Sequence, residues 1–207
     1  MRTHNYESQN NLTPDLALQI LKEGNERFVQ NLKAHRNLLE QVNETAEGQF
    51  PFATILSCID SRTSAELIFD QGLGDIFSIR IAGNIVNEDI LGSMEFATRL
   101  AGSKIIAVIG HTRCGAITGA CNQVELGHLT TLLKKVKPAI EAETTTVENR
   151  TGTNTDFVIN VTELNVRHAI ERIRQESPII REMEQEGRIK VVGGLYEVET
   201  GRVTFYD

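Results

Sequence analysis

Apolar positions along the chain follow two rhythms. Three short runs, Pro51–Ser57, Ile76–Ile79 and Lys104–Gly110, are nearly continuous, β-rich and without polar alternation. Such runs are expected of strands covered on both faces, as in a parallel sheet. Ser64–Asp70 and Asp89–Ala101 read as helices between them. Strand–helix–strand alternation of this kind predicts an α/β domain with right-handed crossovers.

Upstream, Thr13-Pro14-Asp15 is a helix-start signal, with Thr as N-cap and Pro in the first turn. Leu16, Ile20, Phe28, Val29 and Leu32 then recur at roughly helical spacing. Downstream, Leu129–Glu141 predicts a helix, Thr144–Thr155 a polar loop, Asp156–Gln175 a second helix and Pro178–Glu186 a short third one. Arg188–Val192 and Leu195–Val198 read as strands, and Glu199–Arg202 as a turn into Val203–Phe205, a hairpin at a sheet edge. The expected architecture is a central, mostly parallel β-sheet with an antiparallel edge strand, flanked by helices. It forms a single domain over residues 1–207, with an N-terminal helical arm over 1–35 and an α/β core over 50–207.

Composition changes this picture little. At 207 residues, 40% hydrophobic and 24% charged, the chain is long enough to bury a core without disulfides. The net charge of −7 speaks against a nucleic-acid role, which needs clustered Lys and Arg. No apolar run is long enough to span a bilayer, and Met1–Asn11 carries no secretory h-region. A cytoplasmic location, with no membrane partner, is the expectation. There an odd count of three cysteines favours metal binding or catalysis over disulfides.

The candidate chemistry lies in two motifs. Cys58-Ile59-Asp60-Ser61-Arg62 follows the first buried strand, and Gly110-His111-Thr112-Arg113-Cys114-Gly115-Ala116 follows the third. Ligands of open α/β sheets bind outside the carboxyl ends of the strands, so both motifs sit where sites are built. His111 and Cys114, three residues apart, can turn toward one point that Cys58 joins from the neighbouring strand. Two thiolates and one imidazole suit tetrahedral Zn2+, and three protein ligands leave the fourth position of a catalytic site open. Zinc-bound hydroxide would then be the nucleophile. Asp60 would orient it by accepting its hydrogen bond, and Arg62 would keep Asp60 ionised through a bidentate pair. Taken singly, each part has a plainer reading: a strand-end Cys is usually a packed small residue, and an Asp-x-Arg is usually a surface pair.

CxDSR followed by GHTxCGA resembles the β-class carbonic anhydrases. Ile79-Arg80-Ile81-Ala82-Gly83-Asn84, Gly92–Ala97, Asn25–Val29 and Val192–Tyr196 extend the resemblance over about residues 13 to 206. It implies reversible hydration of carbon dioxide to bicarbonate and a proton. Cys58, His111 and Cys114 match the zinc ligands, and Asp60 with Arg62 the catalytic pair. In this family Asp60 can also swing onto the metal as a fourth ligand, closing the site. Gln49 matches a glutamine that hydrogen-bonds substrate, Phe77 an aromatic pocket residue, and Gly115 offers a backbone N–H. Phe96 stands where plant-like members carry a tyrosine. The resemblance also implies a homodimer or homotetramer, with the N-terminal helix packed on the partner and the active site at the interface.

Two other functions fit the same residues. Hydrolysis of carbonyl sulfide or carbon disulfide would use the same ligands and Asp-Arg pair. A non-catalytic zinc-binding regulatory module would keep the ligands, but it would not need Asp60 and Arg62.

Overall fold

The computed structural model describes residues 3–206. A five-stranded sheet forms the centre: β1 (Ala53–Ser57), β2 (Ile76–Arg80), β3 (Ile105–His111), β4 (Lys190–Tyr196) and β5 (Val203–Phe205). The strand order is β2-β1-β3-β4-β5, parallel except for the antiparallel β4–β5 pair at one edge. β1 and β3 are buried at every position, which their uninterrupted apolar runs require. β2 is the other edge and is only half covered.

Among the described residues, ten α-helices surround the sheet: α1 (Tyr6–Asn10), α2 (Pro14–Val29), α3 (Leu38–Glu44), α4 (Ala65–Ile68), α5 (Glu88–Glu95), α6 (Gly115–Cys121), α7 (Gly127–Leu133), α8 (Lys137–Ala142), α9 (Thr155–Glu176) and α10 (Pro178–Gln185). The sheet separates two apolar cores. Leu56, Ile106 and Val108 pack with Val166, Ala169 and Ile173 of α9, while Ala53, Ile55, Ile105 and Ile109 pack with Ala17 and Leu21 of α2.

The expected helices at 13–31, 156–175 and 178–186 are present, as is the polar loop after residue 143. α1, α3 and α6 were not anticipated. The first two are short and largely exposed, and each starts at an asparagine cap, Asn5 or Asn37. The stretch read as one helix over Leu129–Glu141 is α7, a 3-10 turn and α8, because Pro138 has no N–H to continue the ladder. Conversely, Arg188–Val192 and Leu195–Val198 form one strand through Gly193-Gly194. A Cβ on Gly193 would come within 2.8 Å of Ile170 and Val166, and one on Gly194 within 3.0 Å of the Thr204 carbonyl. Those glycines admit α9 and β5 rather than break β4.

α2, in the expected arm, lies on the chain's own sheet. Its buried face is Ala17, Leu21, Gly24 and Asn25, whereas Leu16 and Leu32 are exposed. Small residues let the backbones meet. Asn25 Nδ2 donates to the Ile68 and Gly201 carbonyls, and its Oδ1 accepts from Val203 N–H, stapling α2 to α4 and β5. A Cβ on Gly24 would lie 1.9 Å from the Phe69 carbonyl oxygen. Gly24→Ala should therefore lower stability by about 2–3 kcal/mol, since both sides of the clash are backbone. An unchanged urea midpoint would contradict this packing.

The loop after α8 is tied by one buried carboxylate. Glu143 accepts from the N–H and hydroxyl groups of Thr145 and Thr146, and from Arg150 Nη1 at 2.7 Å. Burial alone would raise its pKa, but these donors together outweigh it and lower the group from 4.5 to about 2. A lowered folded-state pKa gives stability that is present above the unfolded value and fades as pH falls through the folded one. The stability gap between the wild type and Glu143→Gln should thus be full at pH 7 and narrow between 4.5 and about 2. Denaturant midpoints of both proteins across that range test it; a gap independent of pH would refute the assignment.

Candidate metal centre

Two strand ends that are neighbours in the sheet and one helix start build the centre. Cys58 follows β1, His111 ends β3, and Cys114 immediately precedes α6. The turn between the last two passes through Arg113 in the left-handed region, φ 54°. This sparsely populated conformation for a non-glycine residue bends the chain so that His111 and Cys114 face one point. Cys58 Sγ and Cys114 Sγ are 3.9 Å apart, and the ligand atoms of all three residues lie within 4.8 Å of one another. All three side chains are buried.

The polar atoms converging there lack a partner that a metal would supply. His111 Nδ1 is 2.9 Å from the Thr112 carbonyl, which can only accept, so Nδ1 carries the proton. Nε2 is thereby left as a lone pair, buried and without a hydrogen-bond partner. The two cysteine sulfurs are in hydrogen-bond contact. The bond from Cys114, with help from the N–H groups of Gly83 and Asp60, pulls Cys58 well below the ordinary thiol range. The same bond, together with burial, pushes Cys114 up, although the Ala116 and Ile117 N–H groups favour its charged form. A dication takes both sulfurs as thiolates and removes this competition. Soft sulfur with one imidazole is the donor set zinc prefers, so the residues fit that ion.

Asp60 and Arg62 stand at the mouth. Arg62 Nε and Nη2 each donate to one Asp60 oxygen at 2.9 Å, and Arg62 N–H donates to Oδ1 at 3.0 Å. This fork holds the Asp60 carboxyl far below the usual carboxylate range against the opposing effect of burial. Asp60 is not among the three clustered donors, and both its oxygens face the guanidinium.

Known proteins resemble this chain in sequence and fold. The carbonic anhydrase family model matches residues 53–203. "Carbonic anhydrase 2" of Mycobacterium tuberculosis is 34% identical over 206 residues, 95% of each chain. The crystal structure of the β-carbonic anhydrase CafA of Aspergillus fumigatus superposes with a TM-score of 0.73 at 28% identity, covering 93% of this chain and 90% of that one. The chain belongs to the β-class carbonic anhydrase family. Two β-carbonic anhydrases of Sordaria macrospora, described as tetrameric, include a chain with a TM-score of 0.70 at 25% identity, covering 92% of this chain and 94% of that one.

This carbonic anhydrase does not gather all the expected pocket residues within one chain. Gly115 opens α6 beside Cys114, with nothing within 4 Å of where a Cβ would stand. Gln49 is exposed at the opposite end of β1 from Cys58. The six residue-to-residue steps from Phe52 to Cys58 alone span about 20 Å when extended. Phe77 is the second residue of β2, its ring edge-on to Phe96 at 6.1 Å, in a groove with Ser78, Glu88 and Gly92. Gln49 and Phe77 are therefore displaced toward the amino ends of the strands, away from the chain's own sulfurs.

Several supporting residues were not anticipated. Thr63 Oγ1 donates to the Cys58 and Asp60 carbonyls at 3.0 and 2.9 Å, and Arg80 Nε to the Cys58 carbonyl at 3.1 Å. Thr112 Oγ1 donates to Glu199 and accepts from Val198 N–H, and Arg113 pairs with Glu199. Thr63 and Arg80 lie close to the recognised motifs. Glu199, 86 residues beyond Arg113, gave no local signal.

Proposed function

We propose that the chain hydrates carbon dioxide reversibly on one zinc ion held by Cys58, His111 and Cys114. The observation that carries this is the buried, unpartnered Nε2 of His111 facing two sulfurs, with an ionised Asp60 beside them. A zinc ion there would acidify water enough to furnish a nucleophile near neutral pH. Asp60 would accept the hydrogen bond of that nucleophile and so hold it oriented toward the carbon of CO2. Arg62, paired with both Asp60 oxygens, would keep Asp60 charged and engaged, which favours the open form of the site over the one closed by Asp60. The Gly115 N–H can meet negative charge developing on a substrate oxygen.

Gln49 and Phe77 enter this reading through assembly. A homodimer or homotetramer would bring them to a second copy's sulfurs, which one chain cannot do. The open edge of β2 and the exposed Phe96 and Leu100 beside it support that use. The tetrameric Sordaria relatives are in keeping with it. Velocity sedimentation at micromolar concentration should give a dimer or larger; a fully active monomer would defeat it. Carbonyl sulfide and carbon disulfide remain the competing substrates, and a regulatory zinc module the competing class. Stopped-flow assays of CO2 and carbonyl sulfide on the zinc-loaded protein rank them: CO2 should be turned over faster, and inactivity toward both would leave the regulatory module.

A further inference from the structure

We propose that Asn165 is a positioning residue for the metal centre, acting on Cys58 through the Gly83 turn. Gly83 lies just after β2, and its N–H points at Cys58 Sγ at 3.4 Å. This direction needs φ +66°, a left-handed conformation with no side chain to fix it. The following peptide is pinned from both sides: Asn84 N–H donates to the Ile81 carbonyl at 2.9 Å, and Asn165 Nδ2 donates to the Gly83 carbonyl at 2.9 Å. Asn165 comes from the buried face of α9, 82 residues away, and is 2% exposed. The same turn touches the helix that follows the third ligand, since a Cβ on Gly83 would lie 3.4 Å from Ala116 Cβ.

A hydrogen bond to a ligating thiolate withdraws electron density from it and so limits what the sulfur donates to its metal. With the Asn165 donor gone, the Gly83 carbonyl is left buried without that partner, the turn relaxes, and its N–H drifts from the sulfur. Cys58 then becomes the stronger donor, and the metal it holds the weaker Lewis acid. A purely structural role for Asn165, gluing α9 to the turn, predicts lost stability and an unaltered centre.

The inference rests on the metal-centre reading above, and cobalt substitution keeps the two separable. Wild type, Asn165→Leu, Asn165→Ser and Ile173→Ala are loaded with Co2+; the last loosens the same helix two turns away. The sulfur-to-cobalt charge-transfer band should move to longer wavelength in both Asn165 variants and stay in place in Ile173→Ala. With zinc, kcat should fall roughly 10-fold or more with KM little changed, the scale of other outer-shell losses. The serine variant supplies the comparison should the leucine variant not fold. Bands and kcat equal to wild type, with only the melting temperature lowered, would overturn the proposal. A wild-type protein without any sulfur-to-cobalt band would instead sink the metal-centre reading on which it stands.

Discussion

Cys114→Ala should yield a folded protein that holds almost no zinc and has lost CO2 hydration by at least about 1,000-fold. Cys114 supplies one of three donors and sits 3.9 Å from the second sulfur, so its loss leaves a bidentate site. Loss of an outer-shell partner alone costs about 10–100-fold in metal affinity, and loss of a ligand must cost more. The fold itself should survive. The side chain removed is small, and the apolar residues buried with it, Ile85, Ile117 and Phe157, persist. Metal content by atomic absorption, alongside circular dichroism, checks both halves. Stoichiometric zinc in this variant would mean that the ion is held elsewhere.

Asp60→Asn separates chemistry from binding. The amide keeps the shape of the carboxylate but cannot present two acceptor oxygens to Arg62, whose Nε and Nη2 now bond one each. Zinc should stay at one per chain, because Asp60 is not among the clustered donors. Turnover should fall by about 100- to 10,000-fold, the range of a misplaced proton-handling group. A variant retaining half the wild-type kcat would show that Asp60 is an ordinary surface partner of Arg62.

How much of this was legible in the sequence follows from the range of the interactions involved. β1 and β3 declared themselves because a strand covered on both faces has no polar positions to confuse it. The ligands were legible because each lies at the end of such a strand, so local pattern alone placed them at one sheet edge. α2 was found by its cap and its period, yet its buried face was misjudged. Large residues were read as the packing stripe, while Ala17, Gly24 and Asn25 make the close approach. The glycines of β4 misled for the same reason, being there for a neighbour rather than for the strand. Gln49 and Phe77 were identified by likeness alone, and their distance from Cys58 is visible only once β1 is laid out as an extended strand. Asn165 and Glu199 are polar residues in otherwise ordinary segments; their meaning comes from partners more than 80 residues away.

The central claim, one zinc ion at Cys58, His111 and Cys114 driving CO2 hydration, is tested most directly by titrating the metal-free protein with zinc. CO2 hydration is followed by stopped flow at each step. Activity should rise linearly from the uncatalysed rate and stop rising at one zinc per chain, at a pH between about 7 and 9 where zinc-bound water ionises. Full activity before any zinc is added, or none at saturation anywhere in that range, would contradict it.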